Sequence, residues 1–394
     1  MRFFVIVPTY NEKENIKRTI EKLLNVFEKI THHDMNILVT DANSPDGTSE
    51  IVKELQEKYK NLHLLVEKTK RGIGAAYTDA MEHVFSQLGA DAVITFDADL
   101  SHDADIIPSM IEKAENGAKY VGGTRYKKGG SIPQEWGLHR KILSYAGNTF
   151  ARLLYFNAGL SDFTSGFKLI TKEVFDTVKH RVKNGLNGYT FVLAMSLEPI
   201  RAGFKPHEIP YHFRDRTMGK SKMTSEYFLN AFKFIIKLRI QDFLGSRFGK
   251  VFMAGGTGAA SQFIVYYLFH DLVEVNNIFN LPISINLISA EMFPRYLVAQ
   301  FLSIEVGLTI SFLVNNLWAF SDSKLSGFSL LKGYGKNHVV VSGGILIQLI
   351  IGQILAALFG VEHVILKYIY QGVGILVGLL WNFYFYKKFI WKVK

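Results

Sequence analysis

Three stretches near the C-terminal end of the chain carry no charged residue: Val251–Phe269, Val339–Phe359 and Tyr368–Tyr386. A fourth, Tyr296–Leu317, is interrupted only by Glu305. Each is about long enough to cross a hydrocarbon core near 30 Å thick. Core helices of a soluble domain are the alternative, but four such lengths in one segment are hard to place that way. The pattern predicts four spanning helices, over 251–269, 296–317, 339–359 and 368–386. Basic residues cluster before the first (Arg239, Arg247, Lys250), between the second and third (Lys324, Lys332, Lys336) and after the fourth (Lys387, Lys388, Lys392, Lys394). The other two loops hold Asp271, Glu274, Glu291 and Glu362 against only Arg295 and Lys367. The positive-inside rule then puts both termini in the cytoplasm.

The chain has 394 residues and a net charge of +10. That length implies two or three units. It has no cysteine, which excludes disulfides, zinc–thiolate sites and thiol catalysis. The N-terminal "MRFFVIVPTYNE" is too short in its apolar run for a signal peptide, and Pro8 ends it, so the first domain is expected to start in the cytoplasm. We expect a first domain over 1–224, an amphipathic region over 225–247 and a membrane domain over 248–394. In the middle region, Phe228, Leu229, Phe232, Ile235, Ile236 and Phe243 fall largely on one helical face, with Lys233, Lys237 and Arg239 interspersed. This reads as a helix lying on anionic lipid; a core-facing helix of the first domain is the alternative. Inside the spans, "GGTGAAS" (255–261) and "GVGILVG" (372–378) read as close helix packing rather than a nucleotide fingerprint, since no strand precedes them. Glu305 is costly at mid-membrane. It either lines a polar path or hydrogen-bonds Asn315, Asn316 or another helix.

The first domain alternates short apolar runs with amphipathic stretches: "FFVIVP", then "NEKENIKRTIEKLLNVFEKI"; "MNILVT", then "SEIVKELQEKY"; "LHLLVE", then "GIGAAYTDAMEHVFSQL"; then "AVITF". That order predicts an α/β fold with a mostly parallel sheet covered on both faces. Ligands of such sheets sit beyond the carboxyl ends of the strands. Three polar clusters fall there, "PTYNE", "DANSPDGT" and "DADLSHDAD". Asp97 and Asp99, flanking Ala98 as the chain leaves the sheet, repel each other unless a cation sits between them. Oxygen-only ligation suits Mg²⁺ or Mn²⁺, with substrate phosphates completing the shell. Asp103 and Asp105 read as the start of the next helix. His102 reads as a packed or hydrogen-bonded ring, with a metal ligand as the alternative.

"VPTYNE", "SPDGT", "RGIGAAY", "DADLSH", "GGTRY", "HRKILS", "SDFTSGFKL" and "DRTMGKSKM" occur in that order. The ordered set resembles the dolichol-phosphate mannose synthase branch of the family 2 glycosyltransferases, which have the GT-A fold. The membrane half, through "VNNLWAF" and "WNFYFYKKF", resembles a GtrA-like four-helix domain. The resemblance implies metal-dependent transfer of a sugar, GDP-mannose being the favoured donor, to dolichyl or polyprenyl phosphate, with inversion at the anomeric centre. It implies that Pro8, Tyr10, Glu12 and Asp41 hold the nucleoside. It also implies that Asp97, Ala98 and Asp99 hold metal and diphosphate, with Ser101 where some relatives place a further metal contact. Arg125, Arg140, Ser144, Arg216 and Lys222 are expected around the acceptor phosphate and the diphosphate, because arginine offers forked donors to phosphate and lysine a point charge. Two positions depart from the family pattern: Ala42 stands where a second acid is common, and Ala194 where relatives show Glu, with Glu198 four residues on. The same reaction with UDP-glucose is the nearest rival. A non-catalytic carrier of a lipid-linked sugar is a rival of another class. No nucleic-acid partner is expected, the bilayer is, and a homo-oligomer is left open.

Overall fold

Phe3 to Val7 is apolar at every position, the pattern of a strand covered on both faces. In the computed structural model of the protein it forms the inner part of β1 (Arg2–Thr9). Side chains divide with period two: Phe3, Val5 and Val7 enter one core, Phe4 and Ile6 the other. β2 (Asp34–Asp41) repeats this, with Met35, Ile37 and Val39 opposed to Leu38. The structure describes residues 1–155, 159–182, 188–215, 225–269, 293–360 and 364–393.

Between those strands runs α1 (Ile16–Phe27). After β2 come α2 (Thr48–Lys58), β3 (Leu62–Val66), α3 (Ile73–Ser86), β4 (Ala92–Thr95), α4 (Ile107–Glu115) and β5 (Tyr120–Thr124). The unit continues with α5 (Leu138–Leu154), β6 (Lys168–Thr171), α6 (Lys172–Val182), α7 (Tyr189–Arg201) and β7 (Pro206–Pro210). The sheet order is β3-β2-β1-β4-β6-β5-β7. The described pairs are parallel except those of β6, which runs against both β4 and β5. The expected α/β sheet is present, and the chain turns outward on both sides of β1, which makes the β1/β4 edge its switch point. As expected, Asp103 starts the next helical segment: its carboxylate accepts the Asp105 N–H at 3.2 Å, ahead of a short 3-10 turn and α4.

The first compact unit ends at Leu238, not at 224, and the second is Arg239–Lys394. The reason lies in α8 (Ser225–Gly245). Ile235 and Leu238 are buried in the core that holds Phe4 and Ile6, with Ala231 and Phe234 packed against it. Phe232 stacks on Phe150 at 4.5 Å but stays half exposed, as does Leu229. The expected amphipathic face is thus split: Ile235 turns inward while Leu229 and Phe232 remain outside.

The second unit contains α9 (Arg247–Tyr267), α10 (Phe293–Val314), α11 (Gly327–Phe359) and α12 (Val364–Phe385). Ala299–Ala319, Gly327–Phe359 and Ile369–Ile390 are each long and apolar enough to cross a membrane. α9, at the first expected span, is helical but less apolar, because "GGTGAAS" dilutes it. α11 begins at Gly327 rather than Val339, so Lys332 and Lys336 ride on a helix and not in a loop. π-helical turns extend α10 over Asn315–Ala319 and α12 over Tyr386–Ile390. These turns carry the ends of the two quoted motifs, and they meet. Phe320 stacks on Trp391 at 4.2 Å, and Asn316 Oδ1 accepts from Trp391 Nε1 and from the Leu325 N–H.

The small residues set helix spacing. A Cβ on Gly258 would lie 2.6 Å from the Gly307 carbonyl oxygen, and one on Gly307 2.8 Å from that of Gly258. Gly374 and Gly378 stand equally close to the carbonyls of Gln348 and Gly344. Gly258→Val is therefore expected to force α9 from α10 and cost about 1–3 kcal/mol, read as a lowered unfolding midpoint in detergent. Gly255→Val, with nothing within 4 Å of its added Cβ, should leave the midpoint unchanged.

Candidate active site

Strand register gathers the polar clusters at one edge. Thr9 pairs with Asp41, so β1 and β2 finish together, and the parallel β4 ends at Thr95, opposite Ile6, towards the same edge. Lys168 at the start of β6 opposes Thr95 on one side and Gly122 on the other. The reversal of β6 thus brings the segment entering it, Ser161–Phe167, to the same edge as "GGTRY" leaving β5.

Asp97 and Asp99 are held by their own loop. His102 folds back so that Nδ1 accepts the Asp97 N–H at 3.2 Å and Nε2 lies 3.5 Å from the Asp97 carboxylate. Its ring is buried, stacked on Phe167 at 4.9 Å. Burial holds its pKa below the ordinary imidazole value against the pull of Asp97 and Asp99. A neutral ring with Nε2–H donating satisfies both contacts, so His102 is the packed, hydrogen-bonded residue of the first reading and it positions Asp97. Asp99 accepts the Ser101 N–H at 3.1 Å. The Ala98 carbonyl accepts from Thr19 Oγ1 at 2.6 Å. Ser101 is 2% exposed, and its carbonyl accepts the Arg214 N–H at 3.1 Å. It anchors the loop and is poorly placed as a further metal contact. Among the described residues no group of three His, Asp or Glu gathers to hold a metal. A cation at Asp97 and Asp99 would have two protein carboxylates and would take its remaining ligands from phosphate and water, a set that fits Mg²⁺ or Mn²⁺.

At the other end of the edge, Tyr10 lies under Lys70, with Nζ 3.6 Å from the ring centre. Glu12 accepts from Asn15 Nδ2 at 2.8 Å, and Pro8 pairs with Thr40 within the ladder. Asp41 is fully buried and takes four donors: Thr9 Oγ1, Ser44 N–H, Ser44 Oγ and Ser49 Oγ. Four bonds fill a carboxylate. Asp41 therefore shapes the "DANS" loop.

The expected cations separate. Arg125 is buried, and its Nε and Nη2 bond Asp162 at 2.7 and 2.8 Å, with Nη2 also reaching Thr164 Oγ1 at 2.6 Å. It is bonded to the loop that enters β6. Burial opposes both charges, but their attraction and hydrogen bonds hold Asp162 below the usual carboxylate range and Arg125 above its own. Arg140 is more accessible. It stacks over Trp136 at 3.8 Å and reaches Asp215 at 3.4 Å. Ser144 Oγ bonds Tyr126 Oη at 2.6 Å. Arg216 and Lys222 lie outside the described residues. A cavity of about 420 Å³ beside Leu100 and His102 holds Arg18, Lys22, Arg214, Asp103 and Asp105. Lys22 and Asp105 pair at 2.7 Å, so its charges are partly spent on each other.

A family model described as "Glycosyl transferase family 2" matches residues 4–179, and one described as "GtrA/DPMS, transmembrane domain" matches 252–391. A dolichol-phosphate mannosyltransferase of Pyrococcus furiosus is 27% identical over 384 residues, 97% of this chain and 96% of that protein. A polyprenol monophosphomannose synthase of Mycolicibacterium smegmatis is 31% identical over 224 residues, 57% of this chain and 81% of that protein. The chain belongs to the family 2 glycosyltransferases. Its second unit is a GtrA/DPMS membrane domain. Among solved structures, glucosyl-3-phosphoglycerate synthase of Mycobacterium tuberculosis has a TM-score of 0.44 at 14% identity, over 60% of this chain and 78% of that one.

In this glycosyltransferase both departures from the family pattern are buried. Ala42 is 9% exposed, and its N–H donates to the Thr9 carbonyl at 3.0 Å. Ala194 is fully buried in an apolar core. Glu198, one turn on, pairs with Arg181 and Arg201 at 3.2 and 2.5 Å, so its carboxylate is committed to that helix end. The residues that sequence reasoning left without roles are Asp162, Lys168, Asn148 and Glu208. Asn148 Oδ1 accepts the Phe163 N–H at 2.8 Å, and Glu208 accepts the N–H of Ser161 and of Asp162 at 2.9 and 3.1 Å. Lys168 Nζ donates to the Ser165 carbonyl, and burial pulls its pKa down to about 7. Asp162 and Lys168 stand within "SDFTSGFKL", so the motif was the one available signal; Asn148 and Glu208 gave none.

Asp162→Asn leaves Arg125 buried and unpaired, and is expected to cost about 3–5 kcal/mol at neutral pH, measured by denaturant unfolding of the full chain in detergent. The folded pKa of Asp162 lies below the ordinary aspartate value. The pair's contribution is therefore complete above that value and lost as pH falls through the folded pKa. A cost under about 1 kcal/mol would mean that the pair does not hold these loops.

Proposed function

We propose that the chain transfers mannose from GDP-mannose to a dolichyl or polyprenyl phosphate, with a divalent ion at Asp97 and Asp99. The observation that carries this reading is the pair of carboxylates at the switch point of the sheet, one steadied by His102 and the other by the Ser101 N–H. The names of the Pyrococcus and Mycolicibacterium relatives support mannose as the sugar and a polyprenyl phosphate as the acceptor. The bound cation would neutralise charge growing on the departing diphosphate.

The second pKa of a phosphate monoester is about 6, so near neutral pH the acceptor is already largely a dianion. An acceptor oxygen attacks the anomeric carbon from the face opposite the diphosphate. The carbon–diphosphate bond breaks, GDP leaves and the configuration inverts. No general base is required, and the chain's task is to place and orient. Tyr10 and the "DANS" loop would seat the nucleoside, and Arg140, stacked on Trp136, would steer the acceptor phosphate. Arg216 and Lys222 are proposed beside it from their motif. Leu138, Ile142 and Tyr145 are exposed at i, i+4 and i+7 on the same helix as Arg140, a face suited to lipid. The acceptor's tail stays in the bilayer because exposing each CH₂ costs about 0.8 kcal/mol. Four spans with both termini cytoplasmic would keep the catalytic unit on the side where the donor is found.

The test is release of nucleoside diphosphate by the full chain in nanodiscs, with GDP-mannose or UDP-glucose against a short polyprenyl phosphate. Release should need acceptor and divalent cation, favour GDP-mannose, and fall by at least about a hundredfold in Asp99→Ala. Undiminished release in Asp99→Ala would sink the reading; preference for UDP-glucose would correct the donor.

A further inference from the structure

The helices of the second unit form two close pairs. α9 meets α10 where Gly258 faces Gly307, and α11 meets α12 where a Cβ on Gly378 would lie 2.8 Å from the Gly344 carbonyl oxygen. Trp381 Nε1 adds a bond to the Val340 carbonyl at 3.1 Å. Contacts of backbone with backbone are indifferent to pH. The two pairs are joined to each other differently. At one end the join is aromatic, with Phe320 and Phe312 against Trp391 and Phe312 edge-on to Tyr334 at 5.4 Å. Further into α10 it is polar, with Glu305 set against Tyr334 and His338 of α11.

Counting hydrogens shows what this polar contact requires. His338 Nδ1 lies 3.1 Å from the Tyr334 carbonyl, one turn back on α11. A carbonyl only accepts, so Nδ1 carries a hydrogen. Nε2 lies 3.2 Å from both oxygens of the Glu305 carboxylate. A neutral ring with its hydrogen on Nδ1 would turn a lone pair toward that carboxylate. A second hydrogen must therefore lie between Nε2 and Glu305, on the ring or on the acid. The two descriptions hold the same number of protons. Tyr334 Oη also reaches the acid at 3.1 Å and bonds Thr309 Oγ1 at 2.6 Å, while Thr309 donates to the Glu305 backbone carbonyl at 2.7 Å.

The nearby charges are committed elsewhere. On α11, Lys336 Nζ donates to the Phe389 carbonyl, and Lys332 is exposed. On α9, Arg247 pairs with Asp322, and Lys250 lies over Trp318. After α12, Lys387 and Lys388 lie over Phe383 and Tyr384, and Tyr386 packs on Trp391. Among the described residues, the side chains bonded to Glu305 and His338 are therefore each other's and those of Tyr334 and Thr309. His338 stands just before the uncharged run of α11, so a proton need not cross that run to reach it.

We propose that Glu305 and His338 form a proton-controlled latch between the two helix pairs. With the shared proton in place, both ring nitrogens are satisfied and the latch is closed. As pH rises the proton leaves. The ring then has one hydrogen for two acceptors, the Tyr334 carbonyl and a full carboxylate, and one contact is lost. Beyond the latch α11 moves away from α10, while the aromatic end stays joined. The device does not depend on the transfer reaction assigned to the first unit.

The chain has no cysteine, so paired labels can be placed without background. Phe301 on α10 and Ile345 on α11 are exposed and lie beyond the latch. Spin labels on Phe301→Cys and Ile345→Cys, in the full chain in phosphatidylcholine nanodiscs, are followed by electron–electron double resonance from about pH 5.5 to about pH 9. The distance should lengthen by roughly 2 Å or more as pH rises, and shorten again when pH is lowered. Labels on Phe263→Cys and Phe301→Cys, both within the first pair, should keep one distance. In His338→Gln the new amide donates to Glu305 at every pH, and in Glu305→Gln it donates to the bare Nε2. Both variants should hold the short distance throughout. Each tests the latch by itself, so one that does not fold leaves the other to decide. A parent distance that ignores pH, or a pH-dependent change that persists in a folded variant, would overturn the proposal.

Discussion

The pairing of Arg125 with Asp162 joins two loops that lie 37 residues apart in the chain. One leaves β5 and the other enters β6. They meet only because β6 runs antiparallel between two strands of the opposite sense. A buried pair of this kind adds little net stability, since removing two charges from water costs about what their attraction returns. Its effect is positional. Asp162 also accepts the N–H groups of Thr164 and Ser165 at 3.1 and 3.0 Å, and this fixes the path of the next residue, Gly166. A Cβ on Gly166 would lie 3.6 Å from the His102 ring and 4.0 Å from Asp97 Oδ1. The ion pair therefore reaches the candidate site through backbone placement: Arg125 to Asp162, then the loop, then His102 and Asp97.

Much of the fold was legible because burial leaves a pattern. β1, β2 and β4 are covered on both faces and read as unbroken apolar runs, while α1 shows its buried stripe at Ile16, Ile20 and Leu23. The reversal of β6 left no such mark, since four residues inside a sheet look alike in either direction. Asp97 and Asp99 could be found because two acids at the end of an apolar strand conflict with their surroundings. Arg125 shows the opposite case. An arginine in a phosphate-binding family reads as a phosphate ligand, and the acid that claims it is visible only once the sheet is formed. The partners of Asp41 were hidden in the same way, its hydroxyl donors coming from β1, its own loop and α2. The length of α11 was hidden by Lys332 and Lys336, which end an uncharged run without ending a helix.

Both units leave some buried polar atoms without a hydrogen-bond partner, Thr40 Oγ1 and Glu67 Oε2 in the first and Asn315 Oδ1 and Asn337 Oδ1 in the second, and answer others fully. In the first, Asp41, Asp162 and His102 have all their partners within the protein, so the loops at the sheet edge are set before any ligand arrives. In the second, Glu305 is similarly settled: His338 Nε2 lies 3.2 Å from its carboxylate and Tyr334 Oη donates to it at 3.1 Å. That contact between α10 and α11 answers the question the sequence raised about a mid-membrane acid in favour of a helix-to-helix bond. The amides of Asn315, Asn337 and Asn382 are the contrast, since no neighbouring side chain answers them.

Preorganisation at the sheet edge extends to the backbone. Asn11, Asn43 and Leu100 follow β1, β2 and β4, and they have φ of +58°, +56° and +59°. Asparagine tolerates this left-handed region, but leucine does not, and its Cβ makes the conformation cost roughly 1–2 kcal/mol. The same turn directs the Ser101 N–H onto Asp99 and leaves the Ser101 carbonyl to accept from Arg214. A relaxed Leu100 would release both bonds. The strained residue sits between Asp99 and the serine whose N–H steadies it. Local strain is thus spent on setting the turn that carries Asp99 and Ser101.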